Sequence, residues 1–206
     1  MRKIGFFGGS FDPIHFGHVN LCLSVMEKHH LDQVLFCPAS VSPFKGAAPP
    51  HLSQIHRREM LQLALVPFPQ FQLLDLELQR PGPSYTIDSV RVLHQRFEVE
   101  KKSVQLHLIL GEDTLPHLSL WKEIEELIQL APPLIGSRRG EHSFTMPPLS
   151  PQALDTLAQG ITPIPLMEIS STVIRERLSQ QKTCRHLVPA NVLDYIEAHR
   201  LYSRTL

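Results

Sequence analysis

Two histidines near the start of the chain are spaced so that they can act together on one ligand. They lie at the end of the segment Gly8-Gly9-Ser10-Phe11-Asp12-Pro13-Ile14-His15-Phe16-Gly17-His18. An apolar run precedes this segment, and a stretch with helical periodicity follows it. Glycines before a helix let backbone N–H groups face an anion, and the helix N-terminus favours negative charge. The segment therefore predicts a polyphosphate site with both imidazoles on one face of the first helical turn.

Two other interpretations of this segment are weaker. A Gly-Gly-Ser sequence after a strand is also a common tight connection, and two histidines three apart could be half of a zinc site. Zinc would need one or two more ligands at a suitable spacing, whereas Cys22, Cys37 and Cys184 are isolated in the sequence. The glycines match neither the dinucleotide fingerprint nor the P-loop. The histidines and Asp12 together favour phosphate binding.

A second segment near the C-terminus has the features of a phosphate site as well. Its sequence is Ile169-Ser170-Ser171-Thr172-Val173-Ile174-Arg175-Glu176-Arg177. Serine and threonine are the usual N-caps, so an ordinary capped helix is the simplest interpretation. The two arginines favour a ligand, because cations near a helix N-terminus oppose the helix dipole and a bound anion would remove that conflict.

The rest of the sequence predicts one α/β domain over residues 1–206. Strands are expected at about 4–7, 33–37, 71–76, 104–110 and 134–137, and helices at about 15–28, 54–65, 86–97 and 120–130, with another after Pro189. Loops rich in proline lie between Pro38 and Pro50, where Lys45 is the one charge, and from Gly140 to Pro151. This alternation favours a doubly wound parallel sheet with ligands at the carboxyl ends of its strands.

Composition excludes several classes of partner. The 206 residues include 20 basic and 20 acidic side chains, so no electrostatic footprint for nucleic acid or an anionic membrane is visible. No apolar run approaches membrane-spanning length, and Met1 leads directly into a predicted strand rather than a signal peptide. Three isolated cysteines are typical of a reducing compartment. We expect a cytoplasmic protein, and both a monomer and a homo-oligomer remain open.

The two phosphate segments resemble the nucleotidyltransferase superfamily, which shares the H-x-G-H element. This resemblance implies a Rossmann-like nucleotidyltransferase fold in which residues 169–206 form a helical part that completes the ATP site. It implies catalytic roles for His15, His18, Lys45 and Arg175. The ATP-binding residues that it implies are Gly8, Gly9, Ser10, Phe11, His15, His18, Gly111, Asp113, Ser171, Thr172 and Arg175.

Segments in the middle of the chain resemble one family in particular, the bacterial nicotinate-nucleotide adenylyltransferases. The resemblance rests on Arg80-Pro81-Gly82-Pro83-Ser84-Tyr85-Thr86-Ile87-Asp88-Ser89, Leu110-Gly111-Glu112-Asp113-Thr114 and Leu118-Ser119-Leu120-Trp121. It implies a pyridine pocket whose backbone N–H groups bind the carboxylate, and the mononucleotide-binding residues Ser10, Asp12, Lys45, Tyr85, Thr86 and Trp121. The chain departs from the family pattern at two places. The adenine-side contacts are in question at the first, which is the segment Ile135-Gly136-Ser137-Arg138-Arg139-Gly140. At the second, Ser89 stands where the family frequently has threonine.

The implied reaction is attack by the phosphate of nicotinate mononucleotide on the α-phosphorus of ATP. Mg²⁺ would be carried mainly by the ATP phosphates, because this cation binds few protein ligands in such sites. Asp12 could orient neighbouring groups or meet metal-bound water. Alternatives are a nicotinamide-mononucleotide or phosphopantetheine adenylyltransferase, and a regulatory module that binds nucleotide without turnover.

Overall fold

Six parallel strands form one sheet in the computed structural model, which describes residues 1–41, 43, 50–80, 82–137 and 146–203. The strands are β1 (Arg2–Gly9), β2 (Gln33–Pro38), β3 (Phe71–Leu73), β4 (Val104–Gly111), β5 (Pro133–Ser137) and β6 (Ile161–Pro163). Their order in the sheet is β3-β2-β1-β4-β5-β6, and every neighbouring pair is parallel. The predicted doubly wound α/β architecture is thus confirmed.

Five helices connect these strands in the described part of the chain, and two more follow β6. They are α1 (Phe16–His29), α2 (Gln54–Leu65), α3 (Thr86–Val99), α4 (Ile124–Leu130), α5 (Pro151–Gln159), α6 (Ser171–Ser179) and α7 (Ala190–Ala198). A 3₁₀ segment, Glu112–Leu120, lies between β4 and α4. Ser53 caps α2 as predicted, because its side chain accepts a hydrogen bond from the His56 N–H.

Both faces of the sheet are covered by apolar side chains. Alternation along β1 places Phe7 on the face covered by α1, α2 and α7, and Ile4 and Phe6 on the face covered by α3, α4 and α5. A parallel sheet buried on both faces is the arrangement that β-α-β connections impose. Cys22 and Cys37 are fully buried, in agreement with the role of small core residues.

Three details differ from the sequence prediction. The third strand ends at Leu73 instead of residue 76, because the chain turns over residues 75–79. The predicted helix at 120–130 begins only at Ile124, after Glu123 adopts a left-handed conformation with φ 51°. Helix α5 and strand β6 were not predicted from the sequence, although Ser150 followed by Pro151 is a helix-start pattern that could have indicated α5.

The strand order reverses direction between β1 and β4. The chain moves from β1 outward to β2 and β3, then returns to the other side of β1 with β4. In such sheets, a crevice opens beyond the carboxyl ends of the two strands at this switch point. Gly9 ends β1 and Gly111 ends β4, so both segments predicted to bind nucleotide reach the same crevice. Within the described part of the chain, no helix is long and apolar enough to cross a membrane.

Candidate active site

The loop between β1 and α1 holds the two histidines against each other. His15 is the N-cap of α1, and its ring stacks on that of His18 with 3.6 Å between centroids. The His15 backbone N–H donates to Nδ1 of His18 over 3.2 Å. An Nδ1 atom that accepts this bond carries no proton, so the Nε2 atom of His18 is its N–H donor. The loop thereby selects the tautomer of His18.

Packing holds this loop in place. A Cβ at Gly17 would lie 3.0 Å from Nδ1 of His15, so glycine makes room for the stacked ring. Phe11 has a positive φ of 47°, which is uncommon for a residue with a bulky side chain. Its ring is buried among Phe7, Phe36 and His18, at centroid distances of 5.5, 5.8 and 5.2 Å. Such a conformation persists at functional sites when surrounding contacts enforce it.

The second phosphate segment is bound directly to the first. At the start of α6, the Ser171 hydroxyl donates to the Pro13 carbonyl over 2.9 Å. One guanidinium nitrogen of Arg175 donates to the Asp12 carbonyl over 2.7 Å, and the other donates to the Thr172 hydroxyl over 3.2 Å. These bonds place the positive end of α6 beside the histidine loop.

A cleft of about 350 Å³ lies where the two segments meet. Many of its lining residues are those predicted for ATP: Gly8, Gly9, His15, His18, Gly111, Asp113, Ser171, Thr172 and Arg175. Gly136, Ile164 and Met167 also line it. At Gly111, a Cβ would lie 2.5 Å from a carboxylate oxygen of Asp113, so this glycine permits the carboxylate to occupy its place. We call this the ATP cleft.

A second cavity of about 110 Å³ lies on the other side of the end of β1. It is lined by Gly8, Gly9, Ser10, Ala39, Pro43, Glu77, Ser84, Thr86, Leu108, Leu110 and Trp121. Thr86 is the first residue of α3, and the first N–H groups of a helix have no partner within that helix. We call this cavity the ring pocket. It shares Gly8 and Gly9 with the ATP cleft.

Several predicted site residues lie outside the linings of these two cavities. Both carboxylate oxygens of Asp12 are engaged: one accepts from the Tyr202 hydroxyl at 2.6 Å and the other from the His51 N–H at 2.7 Å. Burial and the Asp12 charge raise the pKa of Tyr202. The Tyr85 ring lies beneath Lys122, with 5.0 Å between the Lys122 Nζ and the ring centroid. Direct substrate contacts by Asp12, Phe11 and Tyr85 remain predictions.

Two predictions fall outside the described residues. One concerns Lys45, and the other concerns Arg138, Arg139 and Gly140, the second half of the segment 135–140 that departs from the family pattern. Lys45 was predicted to act in catalysis and to bind the mononucleotide, and that prediction stays as it was made.

A buried arginine was missed by the sequence analysis. Arg57 is fully buried and donates to the carbonyls of Ser10 at 2.7 Å and Ser40 at 3.4 Å. Burial lowers its pKa, and the Asp12 charge partly offsets that effect. The sequence did contain an indication, since Arg57 lies three and four residues before Met60 and Leu61, on the apolar face of α2.

The described residues contain no group of three or more His, Cys, Asp or Glu side chains that could hold a metal ion. The donors around the ATP cleft suit an anion instead, since they are imidazole, hydroxyl and guanidinium groups beside a helix N-terminus.

Comparison with known proteins agrees with this arrangement. The model of the cytidylyltransferase-like family matches residues 6–177, so the fold and site define the chain as a nucleotidyltransferase of that class. A nicotinate-nucleotide adenylyltransferase of Bacillus subtilis is 37% identical over 202 residues, which cover 98% of this chain and 99% of the relative. A probable nicotinate-nucleotide adenylyltransferase of Methylacidiphilum infernorum is 36% identical over 200 residues, covering 97% and 92%. The chain therefore belongs to the nicotinate-nucleotide adenylyltransferase family.

Solved structures share the fold at lower identity. A nicotinic acid mononucleotide adenylyltransferase of Plasmodium falciparum, complexed with NaAD, has a TM-score of 0.71 at 20% identity and covers 98% of both chains. A putative nicotinate-nucleotide adenylyltransferase from Vibrio parahaemolyticus has a TM-score of 0.65 at 20% identity, and the match covers 100% of this chain and 98% of that chain.

Proposed function

We propose that this chain transfers the adenylyl group of ATP to nicotinate mononucleotide, which gives nicotinate adenine dinucleotide and pyrophosphate in NAD biosynthesis. The observation that carries this proposal is that the two cavities are adjacent and share lining residues. The ATP cleft and the ring pocket meet at Gly8 and Gly9, beyond the end of β1. A mononucleotide with its ring in one cavity directs its phosphate toward the nucleotide in the other.

The chemistry needs alignment rather than a protein nucleophile. An oxygen of the mononucleotide phosphate, already ionised at neutral pH, attacks the α-phosphorus of ATP. The bond from that phosphorus to the bridging oxygen breaks, and its electron pair leaves with pyrophosphate. Catalysis then consists of holding the reacting atoms in line and stabilising the charge that develops.

The histidine loop and α6 supply this charge stabilisation. The Nε2–H of His18 is the donor for an α- or β-phosphate oxygen, with His15 stacked beside it. Arg175, with Ser171 and Thr172 at the start of α6, holds the leaving pyrophosphate. Mg²⁺ would enter with ATP and neutralise phosphate charge. Asp113, at the end of β4, is proposed to bind a ribose hydroxyl.

The ring pocket supplies the choice of acceptor. Trp121 stacks on the pyridine ring, and backbone N–H groups at the start of α3, beginning with Thr86, bind its carboxylate. Three buried cysteines favour a reducing compartment, and we expect the enzyme to act in the cytoplasm.

A substrate panel with purified protein and ATP tests this function. Pyrophosphate release is measured with nicotinate mononucleotide, nicotinamide mononucleotide and phosphopantetheine as acceptors. We expect the greatest catalytic efficiency with nicotinate mononucleotide. Turnover of phosphopantetheine alone would overturn the acceptor assignment, and nucleotide binding without pyrophosphate release would indicate a regulatory module.

A further inference from the structure

A buried carboxylate forms part of the wall of the ring pocket. Glu77 lies in the turn after β3, is only 3% exposed and lines the pocket with Thr86 and Trp121. A carboxylate is seldom buried without hydrogen-bond donors, because removing it from water is costly. The partners of Glu77 therefore indicate what it does.

Two serine side chains on either side of Thr86 interact with this carboxylate. The Ser89 hydroxyl, in the first turns of α3, donates to a Glu77 oxygen over 2.7 Å. The Ser84 hydroxyl also acts on this carboxylate, since it lowers the pKa of Glu77. Arg80 donates to the Ser89 oxygen over 2.9 Å and so supports this bond from outside. One carboxylate thus joins the residues before and after the helix start.

The turn that contains Ser84, just before α3, is also attached to the residues that follow β2. The Ser84 N–H donates to the Val41 carbonyl over 2.9 Å, and the Ser40 N–H donates to the Ser84 hydroxyl oxygen over 2.9 Å. Because that oxygen accepts from Ser40, the hydroxyl proton of Ser84 is available for Glu77. The turn is therefore fixed by backbone bonds on one side and by Glu77 on the other.

Charge argues against direct contact between Glu77 and the acidic ring. Burial raises the pKa of Glu77, while its bonds to Ser89 and Ser84 oppose that shift. Two carboxylates in contact would repel, whereas hydroxyl donors occupy Glu77 on the side of the turn. Any effect of Glu77 on the nicotinate group is therefore transmitted through the backbone of residues 84–89.

We propose that Glu77 is a positioning residue for acid recognition: through Ser84 and Ser89 it fixes the first N–H groups of α3, beginning at Thr86, toward the ring pocket. This proposal rests on the proposed function, because it assumes that these N–H groups bind the carboxylate of nicotinate mononucleotide. It assigns acceptor selection to a side chain that does not touch the acceptor.

The test compares Glu77→Gln, Ser89→Ala and Ser89→Thr with the wild-type enzyme. Trp121 is the only tryptophan in the chain, so quenching of its fluorescence reports mononucleotide binding without turnover. The matched control is Glu125→Gln, since Glu125, on α4 and away from the ring pocket, also accepts a serine hydroxyl, that of Ser150 at 2.7 Å. KM for ATP and kcat are measured in parallel.

We expect Ser89→Ala to weaken nicotinate mononucleotide binding about five- to tenfold, as one lost hydrogen bond would. Ser89→Thr keeps a hydroxyl and should bind within about twofold of wild type, by the same reasoning. Glu77→Gln keeps one acceptor oxygen and should fall between these two. The acid-to-amide preference should drop in Ser89→Ala, while KM for ATP and the Glu125→Gln control stay unchanged.

Other outcomes would overturn the proposal. Unchanged mononucleotide binding in Ser89→Ala and Glu77→Gln would leave Glu77 a core residue with no part in recognition. Equal losses for ATP and mononucleotide would indicate general destabilisation instead of positioning. Failure of the proposed function would be distinguishable, since the wild-type protein itself would then show no quenching by nicotinate mononucleotide and no pyrophosphate release.

Discussion

The ATP cleft and the ring pocket lie side by side, yet in the proposed function they would recognise their ligands by different means. The ATP cleft is about three times larger, 350 against 110 Å³, and is lined by charged and hydroxyl side chains from segments far apart in sequence. The ring pocket is lined mainly by apolar residues, Trp121 and a helix start, with Glu77 and Ser84 in its wall. In the proposed function, phosphate recognition therefore draws on side chains beside the glycine loop and the start of α6, whereas ring recognition relies on backbone donors and the groups behind them.

This difference has a consequence for mutation. Side-chain donors such as His18 can be removed one at a time, so the ATP cleft should show large losses of turnover. Backbone donors cannot be removed by substitution, so the ring pocket is best examined by changing the substrate or the supporting side chains. Effects there should fall on acceptor binding.

The largest effect is expected for His18→Ala. Its Nε2–H is directed by the bond at Nδ1 and should bind more strongly as charge moves onto the bridging oxygen. Loss of one such donor should lower kcat roughly 10²–10³-fold with little change in mononucleotide affinity. Steady-state kinetics measure kcat, and Trp121 quenching measures affinity. His117→Ala, at an exposed position of the 3₁₀ segment, is the control.

Wild-type turnover in a folded His18→Ala protein would remove this residue from the mechanism. A loss of mononucleotide affinity equal to the loss of turnover would instead show that His18 contributes to mononucleotide binding, so that the two cavities do not act separately.

The next largest effect concerns the choice between acid and amide. Helix-start N–H groups near Thr86 suit an anion, whereas a neutral amide turns its own N–H donors toward them. An opposed polar group in a pocket costs roughly 1–3 kcal/mol, which predicts a five- to hundredfold preference for nicotinate over nicotinamide mononucleotide. Catalytic efficiencies are compared at one pH and one Mg²⁺ concentration. Equal efficiencies would show that the ring pocket does not select the acid.

A smaller effect is expected for Arg175→Lys. Lysine keeps the charge but loses the planar fork that joins the Asp12 carbonyl and the Thr172 hydroxyl. KM for ATP should rise roughly tenfold, the loss of about one charge-assisted hydrogen bond, while mononucleotide binding stays unchanged. Arg177→Lys is the matched control, since Arg177 lies on the same helix and donates to the Thr183 carbonyl instead. Unchanged ATP kinetics in Arg175→Lys would contradict the proposed role of α6.

The sequence predicted the ATP cleft better than the ring pocket for a physical reason. His15, His18 and Arg175 belong to residue types that bind phosphate, and they follow glycines or helix caps that a reader can recognise. Glu77 and Arg57 act through partners that sequence order separates, as with Arg57 and Ser10, which are 47 positions apart. Nothing in the local pattern around Glu77 distinguishes a buried carboxylate from a solvated one.

The same reasoning explains which parts of the fold were missed. Long buried strands such as β4 carry a clear apolar run, but β6 has only three residues and obtains its position from pairing with β5. Helix α5 follows a proline-rich segment and was not predicted from the sequence. Strand pairing and long-range contacts decide such short elements, and a single sequence does not contain them.

The smallest expected effect on substrate binding is at Asp12, where stability and substrate contact can be separated. The Tyr202 hydroxyl donates to one oxygen of the buried Asp12 carboxylate over 2.6 Å and joins the C-terminal segment to the histidine loop. Tyr202→Phe leaves that oxygen without this donor, which should lower the free energy of unfolding by about 1–3 kcal/mol. Chemical denaturation measures the loss, and Tyr195→Phe is the control, since the Tyr195 hydroxyl pairs with a ring nitrogen of His56 near the surface.

If Asp12 serves to anchor the loop, mononucleotide affinity in Tyr202→Phe stays at the wild-type value while stability falls. Weaker mononucleotide binding at unchanged stability would instead place the Asp12 carboxylate on the substrate.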